Sequence, residues 1–329
     1  MDKSHSGRRP ALAAASLVLL LGALGCGYIF RDAAILYMKV DAELSGRDIE
    51  IEIRKQFIEK YKDRVSISAD LTIDKAMKKP NPGLFDGDFH FSGRAPEIGL
   101  PVVAEIANGA SAPAATDLAH RFEAAGRPVR ISGVWRIWAE HAKRAKEEQG
   151  KPLEPESSEN PGHVFEIHPV TKIGAIRLQD TFRTIDGFTP GSARHTFGIY
   201  ENVGCRITDK PRSVSLVTRK GIDNNVEFLM EIVETRQVEV EGGRFVIAAA
   251  RDLQGDLLVG RLRMVFADDT PPETAVRHLK RGDRLRVYGL PRIDLAEIWR
   301  RVKVSRRDPS VLTKPLPYEI IIQGVFAND

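Results

Sequence analysis

Apolar and polar residues alternate over much of this chain, which is the two-residue period of half-buried β-strands. The alternation is clearest in Val65, Ile67, Ala69, Leu71 and Ile73, which are separated by polar residues. Together with the other strand-like stretches it predicts five short strands with one helix before the fourth: strands over 65–73, 85–93, 102–106, 129–137 and 164–173, and a helix over 117–125. Five strands with a helix between the third and fourth is the plan of an OB-fold, a small Greek-key barrel.

The residues just before this unit have a different spacing. Ile49, Ile53, Phe57 and Tyr61 recur every four positions with charged residues between them. This spacing predicts an amphipathic helix that leads into the first folded unit.

The second half of the chain repeats the pattern of the first. With Gly126 set against Gly282, an ordered series of matches follows: Val129 with Leu285, Ile131 with Val287, Gly133 with Gly289, Val134 with Leu290, and Arg136 with Arg292. Strand-like runs over 245–250 and 257–266 and a short helix over 275–280 precede the matched strand. The repeat predicts a second OB-like barrel. The alternative is one OB unit followed by an unrelated β-rich domain.

The N-terminus predicts export. Residues Ala11–Phe30 contain no charge, and Lys3, Arg8 and Arg9 precede them. Twenty residues at helical rise cross a bilayer core, and the basic flank favours the cytoplasmic side, so the body is expected on the extracytoplasmic, periplasmic face of the cell membrane. Three alternatives remain: an uncleaved anchor, a lipoprotein with Cys26 as the lipidated residue, and simple secretion.

These patterns divide the chain into four parts. They are a signal or anchor segment over 1–30, an amphipathic helix and linker over 31–64, an OB-like domain over 65–175, and a second β-rich domain over 176–329. The predicted fold class is therefore mainly β, with tandem OB-like barrels after an N-terminal membrane-anchor helix. Cys26 and Cys205 are the two cysteines, which excludes a disulfide-stapled scaffold and a cysteine-based zinc site.

Three fragments of the first unit resemble a group of small exported bacterial OB-fold proteins. They are Asp86-Gly87-Asp88-Phe89-His90, Ala104-Glu105-Ile106, and Glu166-Ile167-His168-Pro169-Val170. The resemblance covers about residues 65–175. The resemblance implies the fold but says little about activity, because that group has no settled biochemical role.

The same fragments supply the candidate chemistry. Residues two apart share a face of a strand, so Asp86, Asp88 and His90 form one set, and Glu166 and His168 form another. If Glu105 faces them, carboxylates and imidazoles converge, and such a set suits zinc or manganese. The plainer interpretation is a hydrogen-bonded polar network that holds no cofactor.

A secreted nuclease is the catalytic alternative. Staphylococcal-type nucleases are OB-folds with Asp-Gly-Asp on an early strand, and this chain offers Asp86, Asp88, Glu105 and Arg94. It lacks the arginine-rich strand followed by Asp-x-Pro-Glu that completes such a site, so a metal-dependent hydrolase is the second hypothesis.

Ligand binding without catalysis is the first hypothesis, because OB barrels bind nucleic acids, oligosaccharides and peptides. Stacking platforms beside basic side chains would serve a nucleic acid. The candidates are Arg130, Trp135, Arg136 and Trp138 in the first unit, and Arg286, Tyr288 and Arg292 in the second. Net charge is +4, which permits an anionic partner without requiring one. The sequence thus predicts a membrane-tethered, extracytoplasmic binding or interaction protein without catalytic activity.

Overall fold

The structure is a computed structural model that describes residues 40–41, 46–142 and 155–326. The predicted anchor over 11–30 and Cys26 lie outside the described residues. Within the described residues, every helix is too short or too polar to cross a bilayer.

The described chain begins with strands where a helix was expected. Strand β1 is Val40–Asp41, β2 is Asp48–Arg54, and helix α1 follows as Lys55–Tyr61. The prediction of one helix from Ile49 to Tyr61 was therefore wrong in its first half. Ile49 and Ile53 fit a four-residue spacing, but Ile51 between them is buried as well, so the period is two.

The first barrel is closed and has OB topology. Its elements are β3 Ser66–Ala76, β4 Phe89–Ala95, β5 Leu100–Ile106, helix α2 Pro113–Ala125, β6 Pro128–Ile137, β7 Phe165–Ile173 and the short β8 Ile176–Arg177. The strands pair in the order β5-β4-β3-β6-β7, and a parallel β5–β7 pairing closes the ring. Helix α2 starts with Pro113 and ends at Gly126, whose φ of +60° is the left-handed conformation that suits a helix C-cap.

A four-stranded sheet joins residues from two distant parts of the chain. After β9 Gly191–Ser192 and helix α3 Ala193–Tyr200, strands β10 Cys205–Asp209 and β11 Ser213–Arg219 form a hairpin. Strand β11 pairs antiparallel with β2, which gives the order β1-β2-β11-β10. Residues assigned from the sequence to the second domain thus complete a sheet that the N-terminal residues begin.

The second barrel repeats the first. It contains β12 Val226–Ile232, β13 Val238–Val240, β14 Gly243–Arg251, β15 Leu257–Ala267, helix α4 Pro271–Val276, β16 Arg284–Ile293, helix α5 Leu295–Val304 and β17 Tyr318–Val325. A β12–β14 pairing and a parallel β15–β17 pairing close the ring in the same manner. A mainly β chain with two closed, OB-like five-stranded barrels is confirmed.

Helix α4 lies earlier than the helix predicted over 275–280. Thr270 caps it by accepting a hydrogen bond from the backbone N–H of Glu273, and Pro271 and Pro272 occupy its first turn. This Thr-Pro-Pro-Glu start signal outweighs the apolar spacing further on.

The two barrels pack through equivalent residues of β6 and β16. The guanidinium of Arg136 donates to the carbonyl of Pro291 at 2.9 Å, and that of Arg292 donates to the carbonyl of Trp135 at 3.0 Å. Residues 135 and 291 are repeat partners, as are 136 and 292, so the contact is reciprocal, like an isologous interface between two copies. Val134 and Leu290, also repeat partners, lie in one apolar cluster between the barrels.

Candidate functional site

The candidate site is a charged cluster on the outer face of the first barrel. His90 on β4, Glu105 on β5, and Glu166 and His168 on β7 point away from the apolar interior, and Asp88 immediately precedes β4. All five side chains are buried. The second and third strands of an OB barrel, with the loops after the first and fourth strands, form its usual ligand-binding face. Asp88, His90 and Glu105 lie on that face, and Glu166 and His168 extend the cluster onto the fifth strand.

His168 lies at the centre of the cluster. Its Nε2 is 3.1 Å from Asp88 Oδ2, and its Nδ1 is 3.0 Å from Glu105 Oε2 and 3.3 Å from Glu166 Oε2. Glu105 Oε2 is also 3.2 Å from His90 Nε2. The structure therefore brings together Asp88, His90, Glu166 and His168, which the strand spacing had placed in two separate sets, with Glu105 between them.

Glu166 connects the cluster to the interface between the barrels. Arg136 Nη1 donates to Glu166 Oε2 at 2.7 Å, and Arg136 Nη2 donates to Asn224 Oδ1 at 2.7 Å. His163 Nε2 is 2.9 Å from Glu166 Oε1. One carboxylate is thus held by an arginine and two histidines, and that arginine also reaches across to Pro291.

Asp86 has a different role from the one expected. Its backbone is left-handed, with φ of +108°, and its Oδ1 accepts hydrogen bonds from Asn81 Nδ2 and from the backbone N–H of Asp88, both at 3.0 Å. Asp86 therefore shapes the loop that presents Asp88. Of the predicted metal ligands, Asp86 and His90 belong to neither of the metal-capable groups in the described residues. Arg94, considered for a nuclease site, pairs with Asp74 at 2.8 Å.

Opposing charges determine the protonation of the cluster. Burial raises the pKa of Asp88 to about 6, although the charge of the adjacent His168 imidazole opposes the shift. Burial alone would lower the pKa of His90, but the charge of Glu105 raises it to about 9. The surrounding carboxylates raise the pKa of His168, although burial alone would lower it. Burial alone would raise the pKa values of Glu105 and Glu166, but the neighbouring histidines, and Arg136 beside Glu166, keep both well below their usual values. Without a bound cation, the cluster is a network of paired charges.

Described residues of the segment between β6 and β7 lie against the cluster and include members that the strand pattern missed. His163 in this loop stacks on His141 with ring centroids 5.1 Å apart, and Ser92 on β4 donates to the carbonyl of Ser158 at 2.5 Å. Glu140 lies 3.4 Å from Arg136. Loop residues have no periodicity, so proximity to the Glu166 motif was the only sequence signal for His163.

The predicted nucleic-acid platform does not form. Trp135, Arg136, Trp138, Tyr288 and Arg292 are buried. The indoles of Trp135 and Trp138 donate to the carbonyls of Arg64 and Asp223, and the Tyr288 hydroxyl donates to that of Arg183. Rings covered in this way cannot stack on a base.

Two of the predicted ligand-binding arginines keep exposed surface. Arg130 lies 3.4 Å from Asp70, and Arg286 donates to Glu227 at 2.7 Å and packs over the Phe326 ring. They lie on different barrels and on their own make no binding surface.

An open cleft lies beside the four-stranded sheet. It has a volume of about 640 Å³ and is lined by the C-terminal end of α3, the turn into β10, and the ends of β2 and β11. Ile199, Val203 and Val217 supply apolar surface, and Arg206 and Arg219 supply exposed positive charge. A smaller cavity of about 410 Å³ lies where Glu140 and Asn224 approach the charged cluster.

Comparisons with known proteins add little to this description. No protein-family model and no curated protein matches the chain. Among solved structures, it has 9% identity to a deletion mutant of the single-stranded DNA-binding protein from Thermus aquaticus, over 90% of each chain, with a TM-score of 0.22. Similarity at this level supports no functional conclusion. The assignment of OB-like barrels rests on strand order and closure.

Proposed function

We propose that this chain is a membrane-tethered, extracytoplasmic interaction protein that binds a partner without catalysing a reaction. The observation that carries the proposal is the open cleft of about 640 Å³ beside the four-stranded sheet. Its volume lies within the roughly 300–1,000 Å³ of typical ligand sites.

The cleft's lining indicates the chemistry of the partner. Apolar side chains from α3 and β11 lie beside Arg206 and Arg219, both exposed. A protein segment that carries apolar and acidic side chains fits this surface. The cleft belongs to the sheet that contains β2, the long strand nearest in sequence to the predicted anchor.

Two features speak against catalysis. The charged cluster is covered, whereas a metal-dependent hydrolase must bring its substrate to a metal-bound water. In the cleft, burial raises the pKa of the Cys205 thiol to about 12, which leaves almost no thiolate to act as a nucleophile at neutral pH.

Site-specific photo-crosslinking in intact membranes tests the proposal. A photoreactive residue replacing Arg206 should give one adduct of defined mass, whereas the same residue replacing Gly260 on the second barrel should give none. Gly204→Phe should abolish the adduct, because a Cβ at Gly204 meets no atom within 4 Å and the ring can fill the cleft. Gly260→Phe has equal space and is the matched control.

An adduct at position 206 that persists in Gly204→Phe would refute the cleft as the binding site. The membrane half of the proposal is separate. A reporter that matures only outside the cytoplasm, fused to the C-terminus, should be active, and an inactive reporter would refute extracytoplasmic location.

A further inference from the structure

The members of the charged cluster are not all satisfied by one another. Three buried atoms lack a hydrogen-bond partner among the described residues: His90 Nδ1, Glu105 Oε1 and His168 Nε2. An unpaired buried polar atom destabilises the folded chain, so three in one cluster need a physical reason.

His168 is oriented as metal-bound histidines are. Its Nδ1 is hydrogen-bonded to Glu166 Oε2 at 3.3 Å and lies 3.0 Å from Glu105 Oε2, while its Nε2 faces Asp88. Asp88 Oδ2 lies 3.1 Å from Nε2 but out of line for a hydrogen bond. A carboxylate that holds one imidazole nitrogen while the other faces a second carboxylate is the usual surrounding of a metal-bound histidine.

Glu105 supplies the third ligand. Its Oε2 is held by His90 Nε2 at 3.2 Å, and its Oε1 has no hydrogen-bond partner. One ligand atom each from Asp88, Glu105 and His168 can be chosen so that all three lie within 4.8 Å of one another. Ligands ~2.0–2.2 Å from a tetrahedral zinc ion lie roughly 3.3–3.6 Å apart, so binding would draw the three side chains closer together.

We propose that Asp88, Glu105 and His168 bind one divalent transition-metal ion, zinc or manganese, between the loop that ends at Asp88 and strands β5 and β7. One imidazole and two carboxylates suit these ions. Glu166 and His90 act as outer partners that orient His168 and Glu105.

A second group in the same cluster, Glu105 with His163 and Glu166, is the weaker site. There Glu166 already accepts from Arg136 at 2.7 Å and contacts His163 at 2.9 Å, so its charge is neutralised without a metal ion. In the second barrel, the equivalent carboxylate is likewise neutralised without a metal ion. This residue is Glu319, which lies opposite Arg292 on β16 as Glu166 lies opposite Arg136 on β6. Glu319 is paired with both Arg292 and Arg263.

The ion would join the elements that form the ligand face of the first barrel. Asp88 ends the loop after the first strand, while Glu105 and His168 lie on the parallel strands that close the ring. The metal ion would therefore fasten this loop to the barrel closure. Its role is independent of the cleft in which the interaction partner is proposed to bind.

Metal uptake by the full-length chain in detergent tests the inference. After chelator treatment, titration with zinc or manganese chloride, followed by calorimetry and elemental analysis, should give one bound ion per chain and a higher melting temperature. His168→Gln should abolish binding, and His90→Gln should weaken it about 10-fold, as loss of an outer partner does. His195→Gln, an exposed histidine 3.9 Å from Asp223, is the control and should bind as wild type does.

Two results would overturn the inference. One is a chelator-treated wild-type chain that takes up less than one equivalent of either ion, or whose melting is unchanged by it. This result needs no variant and so does not depend on folding of His168→Gln. The other is stoichiometric binding that survives His168→Gln in a chain with a native circular dichroism spectrum, because the ion would then lie elsewhere.

Discussion

Arg292 offers the sharpest test of how the two barrels are held together. It is fully buried, its Nε donates to Glu319 Oε1 at 2.6 Å, and its Nη1 donates to the carbonyls of Trp135 and Val65 at 3.0 and 3.2 Å. Its guanidinium also lies 3.6 Å from the centroid of the Trp135 ring. Burial lowers the pKa of Arg292 to about 10, so the side chain stays charged at neutral pH but at an energetic cost.

Replacing Arg292 by Met keeps most of the volume and removes the charge and every donor. Glu319 is then left with Arg263 alone, and the Trp135 carbonyl loses its donor from the second barrel. Removing one partner of a buried ion pair costs about 3–5 kcal/mol, so Arg292→Met should lower the free energy of unfolding by that amount. Arg284→Met on the same strand removes a half-exposed pair with Glu231 and should cost only about 0–1 kcal/mol.

Equilibrium urea denaturation measures the difference. Tryptophan fluorescence follows the interface, because Trp135 lies directly under the guanidinium. The double variant Arg292→Met with Glu319→Leu should recover part of the loss, since it removes the buried carboxylate that has lost one of its two arginines, while Arg263 keeps Asp294. If Arg292→Met costs no more than Arg284→Met, the reciprocal contact does not stabilise the packing of the barrels and the reasoning fails.

Three further outcomes follow from single positions. Gly289→Ala should lower the free energy of unfolding by about 1–3 kcal/mol in thermal melts, because the added Cβ would lie too close to the Ile321 carbonyl oxygen. Gly204→Ala, where a Cβ meets no atom within 4 Å, should leave it unchanged. Burial raises the pKa of Glu140 to about 7, so the native state retains a proton that the unfolded chain releases near pH 4.5. The free energy of unfolding should therefore fall as the pH rises from about 5 to 7. Glu140→Gln should make this pH dependence less steep. Cys205, with its pKa near 12, should resist iodoacetamide at pH 7.5 until urea is added, as mass spectrometry of its peptide would show.

The barrels could be predicted because each strand carries its own signal. Ile67, Ala69, Leu71 and Ile73 alternate with polar residues whatever the strand pairs with, and the glycines at 133 and 289 mark the same bulge in both repeats. The four-stranded sheet could not be predicted in this way. Its central pairing joins residues 48–54 to residues 213–219. The sequence of neither segment indicates which strand it pairs with.

The site was predictable only in part for a related reason. Strand periodicity places His90 beside Asp88 and Glu166 beside His168, and the structure brings these four together. The same periodicity places Arg136 on the outer face of β6, where a free-standing barrel would expose it to solvent. The second barrel covers that face, so the side chain is buried. Whether an outward residue meets water or another domain is a property of the assembled chain.

The two barrels neutralise equivalent glutamates with different bases, and this difference separates their roles. Glu319 lies between Arg292 and Arg263, whose guanidinium groups stay protonated at any physiological pH. Glu166 lies between Arg136 and two imidazoles, which can release a proton or bind a metal ion. The ionic contacts of the second barrel are therefore permanent, whereas those of the first can change with its ligands. Because Arg136 contacts both Glu166 and the Pro291 carbonyl, we expect a change in the charge of Glu166 to alter the hydrogen bond that Arg136 makes across the interface between the barrels.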